Sequence, residues 1–140
     1  MTALDRDLLA ERLLVVERHL CRVAERLPEN AADLLPASDA SDAVVLHLWQ
    51  ATQIVIDLAT AACVKWSLGT PSTYADAFSR LADAGLIDPE LAGRLKRAAG
   101  FRNAIAHAYE RLDMPRVHAA ATEGPADLRA LMAAIRIRLE

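Results

Sequence analysis

The sequence predicts an all-α fold, an antiparallel up-and-down bundle of five main helices in a single domain covering residues 1–140. Three observations predict it. Apolar residues make up 54% of the 140-residue chain while Trp, Tyr and Phe contribute only two each, a balance that suits helices packed on helices. Apolar side chains recur at alternating spacings of three and four, and no segment alternates convincingly as a strand. The five glycines and six prolines are scarce and punctuate the periodic runs.

Leu9, Leu13, Val16, Leu20, Val23 and Leu27 predict a first helix from about Leu4 to Leu27, which Pro28 ends. Residues 28–40 contain Pro28, Asn30, Pro36 and Ser38 and read as a connection, with room for a short turn through Ala31-Ala32-Asp33-Leu34. Ser41 or Asp39 can cap a second helix that runs to about Leu68, where Gly69, Thr70 and Pro71 stop it. That helix is apolar over much of its surface and is expected at the centre of the bundle. A third, shorter helix covers about Thr73 to Ala84 and closes at Gly85. Asp88-Pro89-Glu90 starts the fourth, with a capping carboxylate followed by proline in the first turn, and this helix should end near Leu112. The fifth begins around Pro115. Gly124-Pro125 should kink or break it near the middle, because Pro125 has no N–H to donate.

A formal charge of −3 argues against a general nucleic-acid binder, but the average hides a local excess. Between Arg94 and Arg111 lie Arg94, Lys96, Arg97, Arg102 and Arg111 against Glu110 alone. Such a run attracts polyanions or is simply a solvated basic face; Lys96, Arg97 and Arg111 are the candidate RNA contacts beside the motif. Cys21 and Cys63 lack C-x-x-C spacing and read as reduced core residues of a cytoplasmic protein. The N-terminus has no secretory pattern. The apolar region from Ala43 to Leu68 contains His47, Gln50, Gln53, Asp57 and Lys65, too polar for an ordinary membrane span.

The densest chemistry lies in Arg102-Asn103-Ala104-Ile105-Ala106-His107-Ala108-Tyr109. At helical pitch Leu91, Leu95, Ala98, Phe101, Ile105, Ala108 and Leu112 form one broad apolar stripe, and Arg102 and Tyr109 project into it. An arginine there must meet an acid, line a wet cleft or sit at a subunit seam. Gly100-Phe101-Arg102-Asn103 through His107-Ala108-Tyr109-Glu110-Arg111, together with Gly69-Thr70-Pro71, Tyr74-Ala75-Asp76-Ala77-Phe78 and Leu86-Ile87-Asp88-Pro89-Glu90-Leu91, closely resembles the HEPN-domain ribonucleases of the HepT toxin type. The resemblance covers nearly the whole chain and is densest from Cys63 to Val117. It implies a HEPN-like bundle acting as a homodimeric, metal-independent endoribonuclease, the toxin of a type II or VII-like toxin–antitoxin pair. It also implies an antitoxin partner of nucleotidyltransferase fold that transfers AMP to the motif tyrosine, which falls here on Tyr109. The family's arginine, histidine and intervening polar residue fall on Arg102, His107 and Asn103.

The residues suit those roles. Cleaving RNA without a metal requires deprotonating a ribose 2′-hydroxyl, stabilising charge on the phosphate and protonating the departing 5′ oxygen. A histidine titrating near neutrality can be base or acid, and an arginine can hold two phosphate oxygens at once. Asn103, four residues before His107, can orient the imidazole or bond the phosphate. Arg102 and His107 are separated by about 140° around a straight helix. Either the helix loosens after Ile105, or two copies of it assemble the site across a twofold axis, the arrangement favoured here. Tyr109, two turns from Arg102 on nearly the same bearing, would carry an adenylyl group into the Arg102 pocket.

Plainer readings accompany each residue. Arg102 can form a buried ion pair with Asp57 on the second helix, and His107 can be an ordinary surface histidine. His19, His47 and His118 have no motif company, and the scattered carboxylates suggest no metal site. Trp49 and Trp66 read as core or interface anchors. Gln50, Gln53 and Asp57 share one helical face that borders an RNA groove or faces solvent. No nucleophile triad and no glycine-rich phosphate loop is present, so no cofactor is expected. The alternative function is a noncatalytic HEPN module that docks a nucleotidyltransferase and presents Tyr109; a purely structural helical dimer is the third.

Overall fold

A computed structural model describes residues 3–140 and is helical throughout, with no strand among the described residues. The helices are α1 (Arg6–Arg26), α2 (Asp39–Lys65), α3 (Tyr74–Asp83), α4 (Pro89–Ala108) and α5 (Met114–Leu139). Short 3-10 turns cover Ala31–Asp33 and Tyr109–Arg111. α2 packs against every other helix. It is long and apolar enough to cross a membrane, but half of its most apolar stretch is buried inside the bundle.

Helix starts follow side-chain chemistry. Asp5 accepts from the Leu8 N–H at 2.8 Å, Thr73 from Asp76 at 3.0 Å and Asp88 from Leu91 at 2.7 Å, each occupying an N–H that the first turn leaves unpaired. The second helix departs from expectation: its cap is Ser38, not Ser41 or Asp39. Ser38 Oγ accepts from the Ser41 N–H at 3.1 Å and Ser41 Oγ accepts from the Ser38 N–H at 3.0 Å, a reciprocal box that places Ser41 inside the first turn.

Two apolar clusters fill the bundle. The larger gathers Val16, Leu20, Val55, Ile56, Phe78, Leu81, Leu95, Leu131 and Ile135 from all five helices. The smaller joins Val23, Leu34, Val44, Val45, Leu48, Ile105, Val117 and Ala121 at the end of the bundle where α4 finishes. α5 serves both, with Val117 and Ala121 in the smaller cluster and Leu128, Leu131, Met132 and Ile135 in the larger. Of the kink or break expected at Gly124-Pro125, the break does not occur: α5 runs continuously through Pro125. The proline removes one backbone donor, but its flanking turns are each anchored by buried side chains. Arg94 to Asp127 (2.9 Å) ties α4 to α5, and a two-pronged Arg129–Glu17 pair (2.8 and 3.0 Å) ties α5 to α1.

Cys63 is buried, but Cys21 is exposed rather than in the core; both are free thiols. α1 turns Leu20 and Val23 inward, which points the neighbouring position 21 outward. His118 Nε2 lies 2.8 Å from the Pro28 carbonyl, and His19 and His47 bring their Nδ1 atoms within 3.0 Å across the α1–α2 seam. Burial first, then the charges of His47, Arg18 and Arg22, holds the His19 pKa below the ordinary imidazole value.

Two predictions follow from these contacts. Gly69, at φ +99°, closes the α2–α3 turn, and a Cβ there would collide with the Arg80 guanidinium, which donates to the Leu68 carbonyl at 2.9 Å. Gly69→Ala should therefore destabilise the fold by about 1–2 kcal/mol, read from denaturant melts. Because the folded His19 pKa is lowered, the unfolded chain binds the proton first, so the His19 contribution is complete above pH 6.5 and declines as pH falls below it. The fall in melting temperature between pH 8 and pH 5 should be smaller in His19→Gln than in the wild type.

Candidate functional site

α4 stays regular through Ala108, held to the smaller core by Ile105, which is 5% exposed. The helix does not loosen after Ile105, so Arg102 and His107 keep bearings about 140° apart. Arg102 turns inward and is half-buried; Asn103 and His107 face solvent.

Arg102 is held by α2 and by the start of α3. Its Nε donates to Gln53 Oε1 at 2.7 Å, and Gln53 Nε2 donates in turn to Asp57 Oδ1 at 2.9 Å. The guanidinium carbon lies 5.8 Å from the Trp49 ring centre and 5.5 Å from that of Tyr74. The ion pair with Asp57 that the plainer reading allows is absent as a direct contact: Gln53, one helical turn before Asp57, stands between the two. The guanidinium keeps its charge unneutralised while both ring faces and a neutral oxygen stabilise it.

Asn103 Oδ1 accepts from Arg102 Nη1 at 3.3 Å, and no hydrogen bond joins Asn103 to His107. Of the four histidines, His19, His47 and His118 have partners inside the bundle, whereas His107 has none among the described residues. An exposed imidazole with no structural task is free to meet a substrate or a second subunit.

Tyr109 does not continue the stripe that carries Arg102. The helix ends at Ala108, whose φ −145° and ψ 38° turn the chain into the 3-10 segment and re-aim the ring. Its hydroxyl donates to Asp42 Oδ1 at 2.7 Å, in the first turn of α2, while the ring remains 47% exposed. Asp42 was not foreseen, since the only local signal is a carboxylate in a helix first turn and the two residues are far apart in the chain. The hydrogen bond to Asp42, then burial, raises the Tyr109 pKa above its ordinary value. A cavity of about 290 Å³ beside the ring is lined by Pro36, Ser41, Asp42, Val45, Glu110 and Met114, with two carboxylates and no cation.

Lys96, Arg97 and Arg111 are all exposed. Arg97 and Arg111 share a cavity of about 470 Å³ with Arg116 of α5, over a floor that includes Phe101, Ala104 and Ala108; Lys96 does not line it. This groove lies on the side of α4 turned toward α5, away from Arg102. Among the described residues no group of three metal-ligating side chains gathers.

A five-helix bundle with this motif on its fourth helix has the fold of HEPN toxins. The structure superposes on the tri-AMPylated Shewanella oneidensis HEPN toxin solved in complex with MNT antitoxin, with a TM-score of 0.84 at 23% identity, covering 94% of this chain and 98% of that one. It also superposes on YutE, a cytosolic Bacillus subtilis protein of unknown function, with a TM-score of 0.81 at 18% identity, covering 100% of this chain and 94% of that one. In sequence the chain is 26% identical over 108 residues to the mRNA nuclease HepT of Shewanella oneidensis, which spans 77% of this chain and 80% of that protein. The family model for ribonuclease HepT-like proteins matches residues 16–135, and the chain belongs to that family.

The Tyr109 contact is open to direct test. Asp42→Asn removes the carboxylate that raises the phenol pKa, so the Tyr109 titration should move down toward that of a free phenol. Carbon NMR of labelled tyrosine, with Tyr74→Phe to assign the signals, reads the shift.

Proposed function

We propose that this chain is a cytoplasmic endoribonuclease toxin, acting as one HEPN-like unit over residues 1–140 that pairs with a second copy. Its RNA-cleaving site combines Arg102 of one subunit with His107 of the other. The observation that carries this reading is the opposed presentation of the two side chains on one regular helix: Arg102 clamped inward with its outer edge open, His107 outward and unpartnered. The relative named mRNA nuclease HepT supports RNA as the substrate class.

In the proposed reaction His107 takes the proton from a ribose 2′-hydroxyl and the 2′ oxygen attacks the adjacent phosphorus. The charge that builds on the phosphate oxygens meets the Arg102 guanidinium, with Asn103 at its side. The P–O5′ bond breaks, the departing 5′ oxygen takes its proton from water or from the imidazolium that His107 has become, and the products are a 2′,3′-cyclic phosphate and a free 5′-hydroxyl. The chemistry draws its positive charge from Arg102, so neither a metal nor another cofactor takes part. Lys96, Arg97 and Arg111 add charge that attracts the strand.

The exposed face of α4 supports pairing. Gly100 lies mid-helix at a cost of about 1 kcal/mol relative to alanine, yet a Cβ there meets nothing within the chain. With Asn103, Ala104 and His107 on neighbouring bearings, that face lets a second α4 approach closely. Tyr109 is the proposed AMP acceptor for a nucleotidyltransferase antitoxin, a reading supported by the modified toxin and MNT antitoxin among the structural neighbours. The alternative of a noncatalytic docking module would need Tyr109 but would leave His107 without purpose.

Mixing inactive variants tests the composite site. Arg102→Ala and His107→Ala should each abolish cleavage of a single-stranded transcript. Subunits exchanged between them should recover about one quarter of the wild-type rate, because half of the dimers then carry one intact site. Recovery absent from verified mixed dimers would place both groups in one subunit. Cleavage should survive EDTA and leave cyclic phosphate ends.

A further inference from the structure

Gln53, Trp49 and Tyr74 make up a receptor for a guanidinium group, and nothing in the proposed chemistry requires them. Three features of the receptor fit that cation and fit an ammonium poorly. Gln53 Oε1 meets the in-plane Nε–H at 2.7 Å, and two aromatic rings approach the guanidinium carbon at 5.8 and 5.5 Å. No carboxylate touches it: the nearest in the chain of contacts, Asp57, is spent on the far side of Gln53, where it accepts from Nε2 at 2.9 Å. Asp57 accepts only, so it forces the Gln53 amide to turn its NH₂ toward Asp57 and its oxygen toward Arg102. Without Asp57 the amide can flip, and its NH₂ would then face a cation.

We propose that Gln53 and Asp57, with the Trp49 and Tyr74 rings, are positioning residues that lock the Arg102 guanidinium end-on, reserving its two Nη groups for the scissile phosphate. With Nε occupied, a phosphate takes the Nη1/Nη2 edge and displaces only the long 3.3 Å contact to Asn103. A direct carboxylate would hold the arginine as firmly but would neutralise the charge the phosphate needs; the interposed amide transmits orientation and leaves the charge available. The inference rests on the reading of Arg102 as the phosphate-binding group, and its test separates the two.

Gln53→Leu should lower kcat for cleavage of a defined transcript by about 10- to 100-fold with KM nearly unchanged, while the melting temperature stays close to wild type. Gln53→Glu alone sets two carboxylates face to face and should lose activity. Gln53→Glu combined with Asp57→Asn relieves that clash and still offers Arg102 an acceptor, but the acceptor is now a carboxylate, so the double variant should regain the wild-type melting temperature while its kcat stays low. Full recovery of kcat would overturn the argument that the arginine must be held without a countercharge. In Arg102→Ala, millimolar guanidinium chloride should restore part of the cleavage and shift Trp49 fluorescence, read in a Trp66→Phe background. Both effects should vanish when Gln53→Leu is added. Full cleavage by Gln53→Leu beside a dead Arg102→Ala would overturn the positioning role alone. Full cleavage by Arg102→Ala would overturn the site reading, and guanidinium binding that ignores Gln53 would overturn the receptor.

Discussion

The holding of one arginine without a carboxylate is the constraint around which the motif-bearing end of the bundle is arranged. Other arginines in the chain pair with acids: Arg80 with Asp76 within α3, Arg94 with Asp127 between α4 and α5, and Arg129 with Glu17 between α5 and α1. Each is a solvated pair of modest value whose charge is already answered. Arg102 is half-buried and meets a neutral oxygen and two ring faces instead. Desolvating a cation without neutralising it costs stability, and a fold bears that cost where the charge has something else to meet. The smaller apolar cluster provides the rigidity this needs, since Ile105, three residues beyond Arg102, is buried against Leu48 and Val117 on the flanking helices.

The same helix end separates the proposed chemistry from the proposed modification. Had α4 continued to Leu112, Tyr109 would have shared the bearing of Arg102, and an adenylyl group would have lain along the guanidinium. The turn at Ala108 instead delivers the hydroxyl to Asp42. Modification of that oxygen removes the proton it donates, so the tie to α2 is lost at the moment the group is attached. A phosphate attached there would face Asp42 and Glu110, like charges in a cavity with no cation. Under the proposed modification the nucleotide would therefore not start in a pocket already adjacent to Arg102.

What the sequence made legible was local. Asp88-Pro89 and Thr73 act through bonds to residues three positions away, and the helices they start appear in the structure where the chain announces them; α2 ends at Lys65, a few residues before the Gly69-Thr70-Pro71 stop. Periodicity located all five helices and placed α2 at the centre. The departures have physical causes that local reading does not reach. Ser41 and Asp39 are the expected caps, and the reciprocal box between Ser38 and Ser41 moves the cap to Ser38. Pro125 breaks a helix only when the turns beside it are free to move, and here both are anchored. The contacts that define the site, Arg102 with Gln53 and Tyr109 with Asp42, join α4 to α2 across a long stretch of chain. The sequence did show Gln50, Gln53 and Asp57 on one face, but the choice between an acid and an amide as the arginine's partner depends on helix packing to within one turn.

The proposed pairing of two copies would also give a reason why so exposed a surface as the outer face of α4 carries so little bulk. An added Cβ at Gly100 would meet nothing within 4 Å among the described residues, Ala104 beside it is small and exposed, and His107 on the same face is exposed without a partner among them. In a lone subunit, Gly100 is a cost with no return, since alanine there would strengthen the helix and touch nothing. Across a twofold axis the same gap brings each His107 toward the partner's helix, and the angle that separates it from Arg102 within one subunit becomes the angle that aims it at the other subunit's phosphate. A site built as proposed would exist only as often as the dimer does, so anything that wedged the α4 faces apart, a nucleotide on the nearby Tyr109 included, would extinguish both copies at once.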